Sequence, residues 1–166
     1  MREQLTQEDV KKIEEEIEYR KLVVRKEALE AVKEARAHGD LSENFEYHAA
    51  KKDKNKNESR IRYLEKMLKT ARIVTTQSKD DEVGLNNKVE VFFEEEEETE
   101  IYKLVTSIRG NSLDGRISLE SPLGKALLGH KEGDRVYVKV SESAGYHVVI
   151  KSIDKTADEE DAIRSF

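Results

Sequence analysis

The chain has 166 residues, 40% of them charged and 36% apolar, with 30 basic against 36 acidic side chains and a net charge of −6. That is too little apolar material for one compact core of this length, and too much patterned Leu, Ile and Val for disorder. The absence of cysteine excludes disulfides, thiolate metal sites and cysteine nucleophiles, and no run reaches the ~18 apolar residues of a membrane span.

The amino-terminal MREQLTQEDV lacks an apolar signal core, so a cytoplasmic protein is expected. Thr6 is a candidate N-cap, with Asp9 adding negative charge to the first turn. Val10, Ile13, Ile17, Val24, Ala28, Ala31, Val32 and Ala35 then recur mostly three, four or seven apart, which predicts a helix with one narrow apolar stripe. The pattern breaks at His38–Gly39–Asp40, and a second series follows through Tyr47, Ala50, Ile61, Leu64, Leu68 and Ala71. Arg20 and Glu27 on the first helix, and Lys54 and Asn57 on the second, fall on the same grid, so the seam turns polar in its middle. Two antiparallel helices hinged at Gly39 bury both stripes against each other as a coiled-coil hairpin over residues 1–76, with arms of roughly 45–50 Å.

The hairpin tip holds the densest set of functional side chains. Asp40 and Glu43 stand three apart at the start of the second helix, where Asp40 or Ser42 could be the cap. Two hard oxygen donors can bind Mg²⁺ only weakly, because the ion wants six oxygens. They either form an incomplete metal site to be completed elsewhere, or merely complement a helix dipole. His38 and His48 lack the spacing of a zinc helix and read as surface residues. Behind the tip runs a basic stripe: residues 47–72 contain nine basic and three acidic side chains. Lys51, Lys52, Lys54, Lys56, Arg60 and Arg62, with Arg36 across the hairpin, could follow a phosphate backbone or could be a solvated face. Tyr47 could stack on a base or close the seam. Phe45, apolar and off the seam, either packs under the turn or touches a partner.

Residues 77–81 are polar and predicted to be a linker. Over residues 82–154 the period changes to that of short strands: Lys88–Phe93, Thr99–Ile108, Arg116–Glu120, Arg135–Val140 and Tyr146–Ile153. One short helix interrupts them, with Ser121 as cap, Pro122 at its first position and Gly129 at its end. The expected class is α+β, a helical hairpin followed by a small antiparallel sheet with one helix. The acidic run Glu94–Glu98 is expected in a hairpin loop, and residues 155–166 are expected to form a flexible tail. No P-loop, G-x-G-x-x-G or G-x-S-x-G is present, so no complete active site is visible.

Residues 35–50, ARAHGDLSENFEYHAA, and residues 115–129, GRISLESPLGKALLG, resemble two motifs of the bacterial Gre transcript cleavage factors. The similarity extends over about residues 5–154 and is nearest the GreA type. The basic stretch KKDKNKN over Lys51–Asn57 drifts toward the GreB type, and Phe45 replaces the usual alanine. The resemblance implies that the second domain is FKBP-like and docks on bacterial RNA polymerase through residues such as Ser121, Pro122, Leu123 and Gly124. It also implies that the hairpin enters the polymerase secondary channel. There Asp40 and Glu43 would help hold a second Mg²⁺ while Arg36, Lys51, Lys52 and Tyr47 meet the 3′ segment of the nascent RNA. The implied role is an accessory factor that stimulates the polymerase's own RNA cleavage, with no small-molecule substrate and no membrane partner. The alternatives are a Gre-like factor that inhibits polymerase and, from the FKBP-like fold, a prolyl isomerase.

Overall fold

The computed structural model describes residues 2–39, 44–157, 159 and 161–164. It divides into two compact units, one built on Asp9–Ala71 and the other on Gln4–Glu8 with the chain from Arg72 onward.

The first unit is a helical hairpin. Its first arm comprises α1 (Gln7–Tyr19), a π-helical turn (Arg20–Val24) and α2 (Arg25–Arg36), and its second is α3 (Phe45–Thr70). Thr6 immediately precedes α1, at the expected capping position. Ile13, Ala35, Ile61, Leu64 and Met67 are buried, so the arms cohere by the apolar stripes that the heptad-like spacing predicts. Asp40 and Ser42, the expected candidates, lie outside the described residues, and neither is the residue that caps the second arm. That residue is Asn44, its side-chain oxygen accepting from the Tyr47 N–H at 2.9 Å.

The middle of the seam is polar. Arg60, only 4% exposed, donates from Nε to Glu16 at 2.9 Å, and Arg20 donates to the same carboxylate at 2.7 Å. Arg20 also donates to Asn57 at 3.0 Å, and the Asn57 amide returns a bond to the Arg20 carbonyl at 3.3 Å. Burial alone would raise the Glu16 carboxyl, but its bonds from Arg60 and Arg20 outweigh that and hold it below its ordinary value. A polar layer of this kind fixes the register of two otherwise greasy stripes. The π turn begins at Arg20 and inserts one residue into the helix. Seven residues on, Glu27, expected on the seam, is exposed, while Ala28 keeps the half-buried position that its place on the stripe predicts.

In the second unit β1 (Gln4–Leu5) pairs in parallel with β2 (Arg72–Ile73), and the Val74 N–H donates to the Leu5 carbonyl at 2.8 Å. The main sheet has the order β5-β4-β3-β7-β6, from β3 (Lys88–Phe93), β4 (Glu98–Val105), β5 (Arg116–Ser118), β6 (Arg135–Lys139) and β7 (Gly145–Asp154). Four of these strands run antiparallel as expected, but β5 runs parallel to β4. Residues 106–115 cross back through two 3₁₀ turns, Ser107–Arg109 and Ser112–Asp114, instead of a tight hairpin. Val89, Val91, Leu104, Val136, Val138, Val148 and Ile150 form the core with Leu123 and Leu127 of α4 (Pro122–Leu127). Glu94–Glu97 make the turn between β3 and β4, and Glu94 pairs with Arg135 at 2.8 Å.

The segment after β7 is not a free tail. Lys155 Nζ donates to the Ser78 hydroxyl at 2.8 Å and to Asn87 Oδ1 at 3.0 Å, and the Arg164 N–H donates to the Ile108 carbonyl at 2.7 Å. Its acidic side chains find cations on the sheet, which anchors a sequence that composition alone marks as disordered. Among the described residues no helix is long and apolar enough to cross a membrane.

Candidate functional site at the closed end of the hairpin

The two arms are clamped where they approach each other. Ala37 closes the last turn of α2, its N–H reaching the Lys33 and Glu34 carbonyls, and the His38 N–H donates to the Ala35 carbonyl at 3.2 Å. Gly39 follows with φ +130, a left-handed conformation that side-chain-bearing residues rarely adopt. On the other side the Asn44 amide donates to the same Ala35 carbonyl at 2.7 Å. Asn44 thus caps one helix and ties it to the end of the other. Asp40 and Glu43 lie in the four-residue link between Gly39 and Asn44, outside the described residues.

The flanks of that link carry three features. His38 Nδ1 lies 2.9 Å from Glu46 Oε2, and this hydrogen bond, reinforced by charge attraction, raises the His38 pKa above its ordinary value. His38 is exposed, as expected of a surface residue, and is in addition paired with Glu46. Arg36 sits over the Tyr47 ring, 5.5 Å from its centroid, and donates to the Tyr47 hydroxyl at 3.4 Å. That bond, with Lys51 and Lys54 nearby, lowers the Tyr47 pKa. Phe45 is 86% exposed and does not pack under the turn.

Of the expected basic stripe, Lys51, Lys52, Lys56 and Arg62 are exposed and Lys54 is half-buried. Arg60 is not available to a partner, because it is buried against Glu16. The structure therefore gathers Arg36, Tyr47 and Lys51 into one neighbourhood and withdraws Arg60. The role of Asn44 was missed in the sequence. Its signal was there, an Asn directly before a helical run with Tyr47 three residues on.

In the second unit, Ser121, Pro122, Leu123 and Gly124 mostly hold α4 in place. The Ser121 hydroxyl donates to the Ser118 carbonyl at 2.6 Å and accepts from the Gly124 N–H at 3.0 Å. Leu123 is in the core, and a Cβ on Gly124 would lie 2.0 Å from the Ser118 carbonyl oxygen. Pro122 is exposed and Ser121 half-buried, so this block offers a partner little more than its first two residues.

Residues 3–73 match the family model described as transcription elongation factor, N-terminal, and residues 77–155 match that for transcription elongation factor, GreA/GreB, C-terminal. The chain belongs to the GreA/GreB transcription elongation factor family. A transcription elongation factor GreA of Caldanaerobacter subterraneus subsp. tengcongensis is 47% identical over 137 residues, 82% of this chain and 87% of the relative. The GreA of Streptococcus pneumoniae strain D39 is 40% identical over 154 residues, 92% of this chain and 96% of the relative. Among solved structures, GreA factor homolog 1 of Thermus thermophilus is 28% identical and covers 92% of this chain and 99% of its own, with a TM-score of 0.43. Both units thus fall within the family, the hairpin with its amino-terminal model and the sheet unit with its carboxy-terminal one.

The described residues contain no group of three or more His, Asp or Glu that could hold a metal ion. Glu46, the acid nearest the link, is engaged by His38. Asp40 and Glu43, the pair expected to help hold a divalent ion, lie outside the described residues; two carboxylates suit a hard cation but supply only part of a six-oxygen set.

Proposed function

We propose that this GreA/GreB family member binds bacterial RNA polymerase, inserts its hairpin into the secondary channel and stimulates the polymerase's own cleavage of backtracked nascent RNA. The observation that carries this reading is the clamped hairpin end. Asn44 ties the arms together with bonds of 2.7 and 2.9 Å while Arg36, Phe45 and Lys51 face solvent beside it. An end so ordered yet so lacking in apolar cover suits display inside a partner.

In this reading Asp40 and Glu43 hold a Mg²⁺ ion shared with the polymerase, which contributes the remaining ligands. When bound there, such an ion would supply activation of a water for the polymerase's own cleavage of the RNA. Weak affinity in the isolated factor follows from two ligands being too few. Arg36 and Lys51, together with Lys52, contact the phosphates of the extruded 3′ segment. Tyr47, ringed by cations and half-buried, offers its ring edge to a base. The sheet unit docks outside the channel, with Pro122 and Ser121 the accessible part of its motif. In this reading the chain acts as an accessory factor, and the polymerase does the cutting.

The test uses stalled, backtracked transcription complexes. Wild-type protein should accelerate release of short 3′ fragments, and Asp40→Asn with Glu43→Gln should abolish the gain while binding to polymerase persists. Binding without any gain by wild type would instead identify an inhibitory factor. A double variant as active as wild type would remove the two acids from the mechanism.

A further inference from the structure

One end of the main sheet carries a row of cations. Lys88 of β3 stands opposite Lys103 of β4, and Lys103 stands opposite Arg116 of β5. Directly paired residues share a face, and like charges so placed repel. Arg109, from the 3₁₀ turn after β4, adds a fourth cation and is only 1% exposed.

The chain's own acidic segment covers this row. Asp161 places Oδ2 2.6 Å from Lys103 Nζ and Oδ1 3.7 Å from an Arg116 nitrogen. Arg109 Nη1 donates to the Asp161 carbonyl at 3.2 Å and also to the Glu159 carbonyl. The Glu159 carboxylate lies 3.9 Å from Arg109 Nη2 and accepts from the Thr6 hydroxyl. A cleft of about 480 Å³ remains beside the contact, lined by Lys88, Lys103 and Arg116 together with Asp114, Asp161, Thr156 and Ala157; Asp114 pairs with Arg116 at 3.1 Å.

Three properties mark this cover as removable. It contributes no side chain to the apolar core. It is held chiefly by ion pairs and hydrogen bonds to charged groups, contacts that the oxygens of a competing polyanion can replace one for one. It also lies beyond residue 155, where the match to the family model ends.

We propose that the described residues beyond Ala157, Glu159 and Asp161 foremost, form a displaceable strap over a second polyanion site, built from Lys88, Lys103, Arg109 and Arg116, whose occupant after displacement is the phosphate backbone of single-stranded RNA. Two of the four cations are arginines, whose planar fork matches phosphate oxygens in pairs. The cations span three neighbouring strands, a track of about 10 Å at the usual strand spacing. That suits a repeating backbone charge better than a single carboxylate. Nucleic acid is also the abundant polyanion where a transcription elongation factor works. The site is separate from the hairpin and does not rest on the cleavage reading.

The test measures binding of a fluorescent single-stranded RNA oligonucleotide across a salt series. It compares the full chain, a chain ending at Ala157, and full-length Glu159→Gln with Asp161→Asn. All three also carry Lys51→Glu and Lys52→Glu, which removes the contribution proposed for the hairpin. Opening the strap should tighten binding by about tenfold and make the log–log salt slope more negative by about 2, as expected for roughly three added single-strand phosphate contacts. Adding Lys103→Ala and Arg116→Gln to the open forms should return both quantities to the full-chain values. Equal affinity and slope in closed and open forms would overturn the proposal, as would open forms indifferent to the loss of Lys103 and Arg116. Polyglutamate competing as well as RNA would overturn it too, in favour of an acidic protein surface.

Discussion

Arg60 of α3 and Glu16 of α1 meet across the hairpin seam at 2.9 Å, with the Arg60 side chain 5% exposed. The pair removes Arg60 from the exposed basic stripe and makes it a fastener between the arms. Removing the acid strands a buried guanidinium, so Glu16→Ala should destabilise the protein by about 3 kcal/mol. Glu16→Leu combined with Arg60→Met, which takes both charges away, should recover most of that loss. Urea denaturation of the two variants checks the ordering, and equal losses would show that the charge pair is not what matters.

His38 and Glu46 make a titratable pair beside the tip. Glu46 raises the His38 pKa above its ordinary value of 6.5. The contribution to stability is therefore fully present below about pH 6.5 and disappears as pH rises through the raised value. Imidazole proton shifts followed by NMR should give a His38 midpoint above 6.5, and Glu46→Gln should bring it back down. An unmoved midpoint in the variant would mean that the 2.9 Å contact is absent in solution.

Asn44→Ala removes both the cap on α3 and the bond to Ala35. A lost cap alone is worth about 0.5–2 kcal/mol, and the second bond puts the expected loss near the upper end of that range. Because the clamp holds the end that the proposed function displays, cleavage stimulation should fall further than polymerase binding does. Thermal denaturation read alongside a transcript cleavage assay separates the two effects.

Gly124→Ala should be among the most damaging single changes in the sheet unit. Its Cβ would meet the Ser118 backbone carbonyl at 2.0 Å, a contact that no side-chain rotation relieves. A loss of about 3 kcal/mol is expected from the overpacking, seen as a lowered Tm. By contrast Pro122→Ala, at an exposed position, should change stability by less than about 0.5 kcal/mol while reporting on docking.

Much of the architecture was legible because it rests on local rules. The two helical arms, the break at Gly39, the five strands and the Ser121–Pro122 helix start all follow from period and capping. Other features depend on groups far apart in the chain. Nothing in the spacing around Arg60 announces a partner 44 residues earlier, so it reads as one more exposed cation. The parallel pairing of β5 is set by how two 3₁₀ turns steer residues 106–115, which no alternation pattern encodes. The strap was hidden for a similar reason: its acids are stabilised by cations that the sheet brings together only after folding. Asp40 and Glu43 were legible as an acidic pair, and under the proposed function their chemistry would rest on ligands that another molecule provides.

The surplus residue at Arg20–Val24 sets an angular index for the first arm. One added position turns everything beyond it by about 100° around the axis, and in that phase Glu27 faces solvent, Ala28 stays half-buried and Arg36 lies over Tyr47. The proximal and distal stretches of the arm therefore keep separate phases, joined at a single adjustable coupling. Shortening the chain by one residue inside that coupling would swing the distal cations to a different side, whereas the seam around Ile13 and Leu64 would keep its alignment.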